Sequence, residues 1–300
     1  MSAIALPLLR QAALICAIVI AVFFLIRVVP GDVVDVLALE GDLAEAEVAQ
    51  IRAELGLDRP AHEQFLRWLA RASQGDLGLS LRFERPVVDM IGFAVPATLS
   101  LAAQSLAIGL ALGVALATLS AIWPRSPFAW LVEAVNVWSI AIPTFCVGLA
   151  AILVFSIWLG WMPVLGNTLV PAIVIGIDVA GQIVKPLHEE LKETATAPFV
   201  RAARGRGESR AQIVFARLLP NAAPVAIALS GLILTGLIGG TLTMEVLFGL
   251  PGLGTLALQA IQGRDYPVVQ AVILLFAVSI VTVNTATDLC QRLIDPRLRR

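Results

Sequence analysis

The chain has 300 residues, of which 58% are hydrophobic and 14% charged, with a mean hydropathy of +0.88 and a formal net charge of −1. Soluble globular domains carry about 25% charged residues, so this composition excludes an ordinary soluble fold and indicates a chain solvated by lipid. The bilayer is therefore an expected partner, and nucleic acid is not.

Cysteine and histidine usage gives no sign of a metal site. Cys16, Cys146 and Cys290 lie in apolar stretches without CxxC or metal-ligand spacing, so we expect buried, reduced thiols. The two histidines, His62 and His188, are far apart in the sequence. We expect no metal and no cofactor bound by this chain itself.

A membrane-spanning helix needs about 20 mainly apolar residues to cross about 30 Å of hydrocarbon. Six stretches meet this requirement, at roughly 11–29, 97–122, 131–159, 169–186, 223–247 and 268–291. The fourth is the least apolar, because it contains Asp178 and ends near Lys185 and Pro186. The sequence thus predicts one all-α transmembrane domain over residues 1–300.

Residues 30–96 form a long segment between the first two predicted spans. Apolar residues recur at helical spacing up to Leu55, and Gly56 follows as a stop signal. Pro60 begins a second run, whose apolar face is Phe65, Leu66, Trp68, Leu69 and Ala72. We predict two short amphipathic helices that cap the outer mouth of the bundle.

Lysine and arginine in short loops indicate the orientation. With the N-terminus inside, the basic inner positions are Arg10, Arg125, seven residues from Lys185 to Arg217 and four from Arg292 to Arg300. The short outer loops at 160–168 and 248–267 hold only Arg264, and the segment 30–96 is long enough to be exempt from the rule. Both termini are predicted to be cytoplasmic.

Residues 187–222 form a charged segment between the fourth and fifth predicted spans. Phe199 to Arg206 is predicted to be a short helix, with Arg201 and Arg204 on one face. Gly205 and Gly207 permit a sharp change of direction at positive φ. A basic loop that merely sets the topology is the alternative interpretation.

A second helix is predicted over about 210–218. Ser209 is its cap, and Pro220 is expected to end it. Ile213, Val214 and Leu218 would lie on one side, with Arg210 and Arg217 on another. A short helix of this kind, joined rigidly to both neighbouring spans, can plug into a groove on a partner protein.

Motifs along nearly the whole chain occur in the order and spacing of a known family. They are Pro30-Gly31-Asp32, Glu54-Leu55-Gly56-Leu57-Asp58-Arg59-Pro60, Gln64-Phe65, Trp68-Leu69, Gly75-Asp76-Leu77-Gly78, Ser80-Leu81, Pro86-Val87, Pro96-Ala97-Thr98-Leu99, Arg201-Ala202-Ala203-Arg204-Gly205-Arg206-Gly207, Glu245, Phe248, Pro251-Gly252-Leu253-Gly254, Arg264-Asp265-Tyr266-Pro267-Val268 and Asp295-Pro296-Arg297. The chain resembles the B-type permease subunit of the dipeptide, oligopeptide and nickel group of bacterial ABC importers.

The resemblance implies a six-span permease bundle in the bacterial inner membrane. It further implies a second, related permease subunit, one or two P-loop ATPases on the cytoplasmic side and an extracytoplasmic substrate-binding protein. Residues at the spacing of the family's "EAA" coupling loop are Arg201, Ala202, Ala203, Arg204, Gly207, Leu219 and Pro220, with arginine replacing the leading glutamate. These residues would contact the ATPase.

The lysines agree with an ATP site on another subunit. A P-loop needs a lysine followed by Ser or Thr, whereas Lys185 is followed by proline and Lys192 by glutamate. We therefore expect ATP and Mg²⁺ to be bound by partner subunits.

Two features depart from the family pattern. Lys185-Pro186 replaces an arginine-rich turn, and we expect the proline to kink or end the fourth span. Asp178 stands where the family has a small or apolar residue. A mid-membrane carboxylate tends to face a pathway or a partner, so Asp178 lines the translocation path, or it is a structural carboxylate at the interface with the second permease.

The loop around Phe248–Gly254 is predicted to turn tightly and close over the pore mouth as an outer gate. Its candidate residues are Glu245, Phe248, Pro251, Gly252 and Gly254. Glu245, together with Asn136 and Asn284 inside spans, also fits an alternative role in hydrogen bonds between helices.

Two other functions remain as alternatives. An ion-gradient-driven carrier requires a relay of ionisable residues and an internal repeat, and the sequence has neither beyond Asp178. An intramembrane enzyme requires a motif such as HExxH or GxSxG, which is absent. The substrate stays open among dipeptides, longer peptides, glutathione and nickel or other metal chelates.

Overall fold

The computed structural model describes residues 2–28, 30–41 and 45–294. In these residues the chain is helical, and an isolated bridge between Leu79 and Pro86 is its sole β-type pairing. Apolar runs in lipid must satisfy their backbone groups internally, which favours helices. The helices are α1 Ser2–Val28, α2 Val33–Gly41, α3 Glu45–Leu55, α4 Ala61–Ala72, α5 Val87–Ile122, α6 Pro127–Ala141, α7 Thr144–Ala151, α8 Leu169–Thr194, α9 Pro198–Gly205, α10 Arg210–Ile213, α11 Leu219–Gly240, α12 Leu242–Leu247, α13 Leu253–Gln262 and α14 Tyr266–Ile294, with π-helical segments at Ile152–Trp158 and Val214–Leu218.

The number of candidate spans agrees with the prediction once a bent pair is counted as one. Five described helices are long and apolar enough to cross a membrane, and the number is six when Pro127–Ala141 and Thr144–Trp158 form a single span. Several predicted boundaries are nevertheless wrong. Helix α5 begins at Val87, ten residues before the predicted start, and continues through Pro96, so the outer segment ends near residue 86.

The third predicted span, 131–159, is broken rather than straight. Helix α6 ends at Ala141, Ile142 is extended at φ −113° and ψ 116°, and the two halves make an angle of 96°. The cause is Pro143, which lacks an N–H donor and pushes the preceding residue out of the helical region.

Two further predicted boundaries differ from the structure. Helix α8 does not end at Pro186 but continues to Thr194, because Leu187 and Leu191 in its last turns are 1% and 0% exposed and hold these turns against the core. The fifth predicted span, 223–247, is interrupted at Thr241, between α11 and α12.

Two helices are present where the sequence predicted them in the outer segment, as α3 and α4, but α3 lacks the predicted amphipathic face and has no buried residue. Gly56 follows α3 at φ +68°, and Pro60 is the N-cap of α4. Phe65 and Trp68 of α4 contact Phe23 of α1, with ring centroids 5.0 and 6.1 Å apart. The predicted apolar face of α4 is only partly buried, since Leu66 and Leu69 on it are exposed.

Helix α2 was not predicted, although its start signal is local. The Asp32 carboxylate accepts hydrogen bonds from the backbone N–H groups of Val34 at 2.9 Å and Asp35 at 3.1 Å. An aspartate in this position caps a helix by satisfying its first free donors. Pro30-Gly31-Asp32 thus starts a helix whose first residues, Val33 and Val34, are completely buried.

The chain divides into two compact units. The first consists of Met1–Thr98 and Pro251–Val281, and the second of Leu99–Leu250 and Thr282–Arg300. In the first unit, Ser80 Oγ donates to the Asp265 carboxylate and Tyr266 Oη donates to the Gly31 carbonyl at 2.7 Å. These bonds join segments about 185 and 235 residues apart in the sequence.

Helix α8 is central to the second unit, where it contacts α6, α7 and α11. Small residues allow these close approaches, as is usual in membrane bundles. A Cβ on Gly109 of α5 would lie 2.2 Å from the Val179 side chain of α8, and a Cβ on Gly181 of α8 would lie 2.4 Å from Ser139 of α6. Because α8 is an interior helix, it needs less apolar surface than lipid-facing spans, which explains its weak hydrophobic signal.

Gly231→Ala should lower the midpoint of thermal unfolding in detergent. The added Cβ would lie 2.1 Å from Oγ1 of Thr287 in α14, so α11 and α14 must shift apart, at a cost of about 1–3 kcal/mol. Gly236→Ala on the same helix is the matched control, because nothing lies within 4 Å of its added Cβ. Equal midpoints for the two variants would contradict the close approach of α11 and α14.

The prediction of buried cysteines is wrong for this chain. Cys16, Cys146 and Cys290 are free and exposed on its surface. Apolar positions of a membrane helix face lipid or a partner as readily as the core, so an apolar neighbourhood in the sequence does not imply burial.

Candidate coupling surface and translocation residues

Helix α9 presents one basic face and one buried face. It begins at Pro198, which needs no N–H donor at this position, after an extended Ala197. Val200 and Ala203 are completely buried, whereas Arg201, Ala202 and Arg204 are exposed. The predicted helix is confirmed with bounds Pro198–Gly205, and its two arginines share the outward side.

The turn after α9 depends on one glycine. Gly207 has φ +83°, as predicted, whereas Gly205 is the last residue of α9 and has no positive φ. The Glu208 backbone N–H donates to the Ala203 carbonyl at 3.2 Å, which closes the helix end. Gly207 therefore sets the direction in which the chain leaves α9.

Ser209 caps α10 as predicted. Its hydroxyl accepts from the Gln212 backbone N–H at 3.3 Å, and the Gln212 side chain accepts from the Ser209 N–H at 2.8 Å. This reciprocal arrangement is a capping box.

Glu208 links the two sides of the turn. Its carboxylate accepts from Arg206 at 2.8 Å and from Arg217 at 3.3 Å. The hydrogen bonds from Arg206, and then those from Arg217, hold the pKa of the Glu208 carboxyl below its usual range. The bridge is therefore intact at neutral pH and would be lost only under acidic conditions.

The second predicted helix has the expected faces but not the expected end. Ile213, Val214 and Leu218 are 4%, 2% and 2% exposed, while Arg210 and Arg217 are exposed. Pro220 does not end the helix. The helical run continues from Arg210 to Gly240 through the π-helical segment Val214–Leu218. Proline is tolerated in the first turn of α11, where a widened π turn precedes it.

The whole stretch Pro198–Pro220, hereafter the 198–220 segment, is anchored at both ends. Val200, Ala203 and Leu218 belong to the same hydrophobic core as Leu187 and Leu191 of α8. Leu219 packs against this core, and Pro220 is exposed. The predicted loop 187–222 is thus mostly helical, because its apolar residues are drawn into the core at helical spacing.

The exposed side of the 198–220 segment combines charge with apolar surface. Phe199 and Phe215 are 42% and 59% exposed, and Arg201 and Arg204 of the same segment are exposed as well. Exposed aromatic and arginine side chains on a rigid element are typical of protein interfaces.

Asp178 lies apart from the 198–220 segment. It is half-buried on α8, sixteen residues before Thr194, which corresponds to about 24 Å along the helix axis. The Gln182 amide donates to its carboxylate at 3.0 Å, and the Thr144 side chain also interacts with it. The carboxylate is therefore partly satisfied within the chain and partly accessible.

The candidate outer-gate residues fall into both units. In the second unit, Glu245 is completely buried and accepts from the Thr241 hydroxyl at 2.9 Å. Phe248 is 1% exposed, and its carbonyl accepts from the Gly166 N–H at 2.8 Å. These contacts make this end of the predicted loop a packed turn.

In the first unit, the loop leads into α13, which was not predicted. Pro251 is exposed, Gly252 is the N-cap of α13, and Gly254 is buried in its first turn. The Leu253 N–H donates to the buried Thr98 hydroxyl at 2.8 Å. Residues 248–267 are therefore not a simple loop. The local signal was the spacing of the buried apolar residues Leu253, Leu256, Ala257 and Ala260.

Two polar residues inside spans join helices, as the hydrogen-bonding alternative predicted. The Asn136 amide of α6 donates to the Gly181 carbonyl of α8 at 3.0 Å. The Asn284 carbonyl oxygen of α14 accepts from the Thr235 hydroxyl of α11 at 3.1 Å. In both cases a side chain replaces the missing water as hydrogen-bond partner.

Comparison with known proteins decides the family. The profile described as "Binding-protein-dependent transport system inner membrane component" matches residues 109–300, and the corresponding N-terminal profile matches residues 7–102. The chain belongs to this family. It is the permease component of an ABC importer.

Similar curated proteins span nearly the whole permease. The glutathione transport system permease protein of Escherichia coli strain K12 is 33% identical over 286 residues, which cover 93% of each chain. A putative peptide permease protein of Brucella suis biovar 1 is 33% identical over 309 aligned residues, which cover 97% of each.

A solved structure supports the fold. An inward-facing conformation of the MetNI methionine ABC transporter matches with a TM-score of 0.59 at 21% identity, over 69% of this permease and 97% of the solved chain. By its family, the permease is a multi-pass inner-membrane protein, and the part of the chain that the structure describes has an all-α fold. Permeases of this family work with a separate ATPase and a substrate-binding protein.

The Asp295-Pro296-Arg297 motif and the basic C-terminal tail lie outside the residues that the structure describes.

Proposed function

We propose that this permease is one half of a transmembrane pore and pairs with a second, homologous permease subunit. One or two P-loop ATPases bind ATP and Mg²⁺ on the cytoplasmic side, and an extracytoplasmic binding protein delivers the solute. Both termini are cytoplasmic. The pair moves the solute inward by alternating access between outward-open and inward-open states.

The observation that carries this proposal is the anchoring of the 198–220 segment. Its buried side shares one core with α8, and it runs without a break into α11. A displacement of its exposed side by an ATPase is therefore transmitted to two membrane helices, since packed elements move as rigid bodies. A flexible basic loop that only sets topology would lack this anchoring.

We propose a small peptide or peptide-like solute as the substrate, supported by the names of the glutathione and peptide permeases at 33% identity. A nickel or other metal chelate is a second candidate, supported by the half-buried Asp178 carboxylate. A bare metal ion is disfavoured because no cluster of three or more His, Cys, Asp or Glu side chains in the described part of the chain is suited to hold one.

Asp178→Asn should lower uptake of a cationic or chelated solute at least about tenfold, because it removes the charge from a partly accessible carboxylate. Uptake of an uncharged dipeptide by the same variant is the internal control. An equal loss for both solutes, with poorer recovery of the permease pair, would instead indicate a structural carboxylate at the subunit interface. Unchanged uptake of both solutes would contradict both the role in the translocation path and the structural role at the subunit interface.

Copurification tests the whole proposal. The tagged permease is extracted gently from its native membrane, and the proteins recovered with it are identified by mass spectrometry. We expect a second permease and at least one P-loop ATPase. Recovery of the chain alone or as a homo-oligomer, with uptake abolished by ionophores, would instead indicate an ion-gradient-driven carrier.

A further inference from the structure

A cavity of about 640 Å³ lies within the first unit. Its wall is formed by the end of α1, the end of α3, one side of α4, the following segment up to Leu81 and the first turns of α14. Tyr266, Pro267 and Gln270 are the residues that α14 contributes. All of its lining residues belong to the first unit, whereas the 198–220 segment and Asp178 belong to the second.

Two residues of the cavity wall carry hydrogen-bond donors that are buried without a partner among the described residues. The donors are Nε1 of Trp68 and Nε2 of Gln270, and the Gln270 residue is only 5% exposed. A buried donor without a partner loses the free energy of its hydration. Such donors are therefore rare unless a ligand or an ordered water molecule accepts the hydrogen bond.

Other polar side chains of the same wall do have partners. Gln64 accepts from Arg27 at 3.1 Å and donates to the Arg59 carbonyl at 2.9 Å. Asp76 accepts from Arg71 at 2.8 Å. The lack of a partner at Trp68 Nε1 and Gln270 Nε2 is therefore not a general property of the polar groups of this wall.

The charge of the wall favours an anion. The wall contains four arginines, at positions 27, 59, 67 and 71, and only two carboxylates, Glu54 and Asp76. Arg27 is held in place over the Phe23 ring, 3.5 Å from its centroid, while its Nη1 donates to the Phe23 carbonyl. A fixed guanidinium beside neutral N–H donors is suited to carboxylate or phosphate oxygens.

We propose that this cavity binds an oxyanion, a carboxylate or a phosphate, which accepts hydrogen bonds from Trp68 Nε1 and Gln270 Nε2. The arginines of the wall attract it. Two sources supply this chemistry. One is the headgroup of an anionic phospholipid, because the cavity adjoins the ends of two candidate membrane helices, α1 and α14. The other is a soluble solute with a free carboxylate.

The test uses the full chain purified in an uncharged detergent. Three probes are titrated while the midpoint of thermal unfolding is followed: phosphatidylglycerol, phosphatidylcholine with the same acyl chains, and glutathione. A ligand that binds the folded state raises this midpoint according to its concentration and dissociation constant. Selective stabilisation by phosphatidylglycerol indicates the headgroup, and stabilisation by glutathione indicates the solute.

Trp68→Phe and Gln270→Met should each weaken binding of the active probe at least about tenfold. Trp68→Phe keeps an aromatic ring without its N–H, and Gln270→Met keeps the length and most of the volume of the side chain without its amide. The Gln270 donor has no partner to lose among the described residues, so Gln270→Met should not lower the unfolding midpoint without probe. Trp68→Phe also reduces the ring that contacts Phe23 and Phe65, so its probe-induced shift is compared with its own midpoint without probe. Trp123→Phe and Gln74→Met, at exposed positions outside this wall, are the matched controls and should bind normally.

Arg59→Gln is a further variant at an exposed wall position, where folding is not at risk. It should also weaken binding. The proposal is overturned if no anionic probe binds, if phosphatidylglycerol and phosphatidylcholine bind equally without a glutathione effect, or if all three wall variants bind like the wild type. Partner subunits and ATP are absent from this test, so its failure is distinct from a failure of the transport proposal.

Discussion

Gly207→Val should abolish ATP-driven uptake while leaving the permease inserted in the membrane. Gly207 has φ +83°, and apart from its two chain neighbours no described residue has an atom within 4 Å of the position of an added Cβ. The effect therefore comes from backbone strain alone, which for a β-branched residue in the left-handed region costs about 1–3 kcal/mol. Relief of this strain changes the direction between α9 and α10 and disturbs the bridge of Glu208 to Arg206 and Arg217.

Gly205→Ala is the matched control for this prediction. Its added Cβ also meets nothing within 4 Å, but Gly205 has no positive φ. Alanine is a better helix former than glycine by about 1 kcal/mol, so α9 should be retained. Uptake in proteoliposomes that contain the purified complex, normalised to the amount of inserted permease, checks both variants. Normal uptake by Gly207→Val would show that the geometry of this turn is not required for coupling.

Arg201→Glu should release the ATPase from the complex and thereby prevent uptake. Arg201 is exposed on α9 and forms no ion pair with another described residue. Charge reversal should therefore leave the fold intact. If the ATPase surface is complementary to the arginine, the introduced glutamate meets a like charge there, which costs several kcal/mol of binding free energy. The fraction of ATPase that copurifies with the permease is the direct measurement, and uptake is the second.

Arg125→Glu provides the control for charge reversal on the same predicted side of the membrane. Arg125 is exposed in the short connection between α5 and α6, outside the 198–220 segment. We expect it to retain the ATPase. Equal copurification with both variants would contradict the assignment of the basic face of α9 as the coupling surface, whatever the effect on uptake.

Local signals in the sequence were sufficient for the short helices α3, α4, α9 and α10. Gly56, Pro60 and Ser209 mark helix ends through backbone requirements that do not depend on distant residues. The same holds for the left-handed turn at Gly207. The sequence signal failed at Pro186 and Pro220, because a proline removes one donor but the surrounding packing decides whether the helix continues.

In the 198–220 segment too, the sequence predicts the motif, but the tertiary structure decides which of its residues are buried. Ala202 and Ala203 are adjacent and chemically identical, yet Ala202 is exposed and Ala203 is completely buried. Residue type and spacing placed both in one motif. Which of them supports the fold and which is available to a partner follows from the side of α9 that belongs to the hydrophobic core shared with α8.

The sequence by itself determined the membrane class, the approximate number of spans and the family. These depend on apolar length, on basic residues and on turn chemistry, all of which act over a few neighbouring residues. Only the tertiary structure decided that the helices continue through Pro186 and Pro220, and that Ser80 pairs with Asp265, 185 residues away. The same is true of the unpaired donors of Trp68 and Gln270. Each depends on which surfaces meet, and burial between distant segments leaves no periodic signal in the chain.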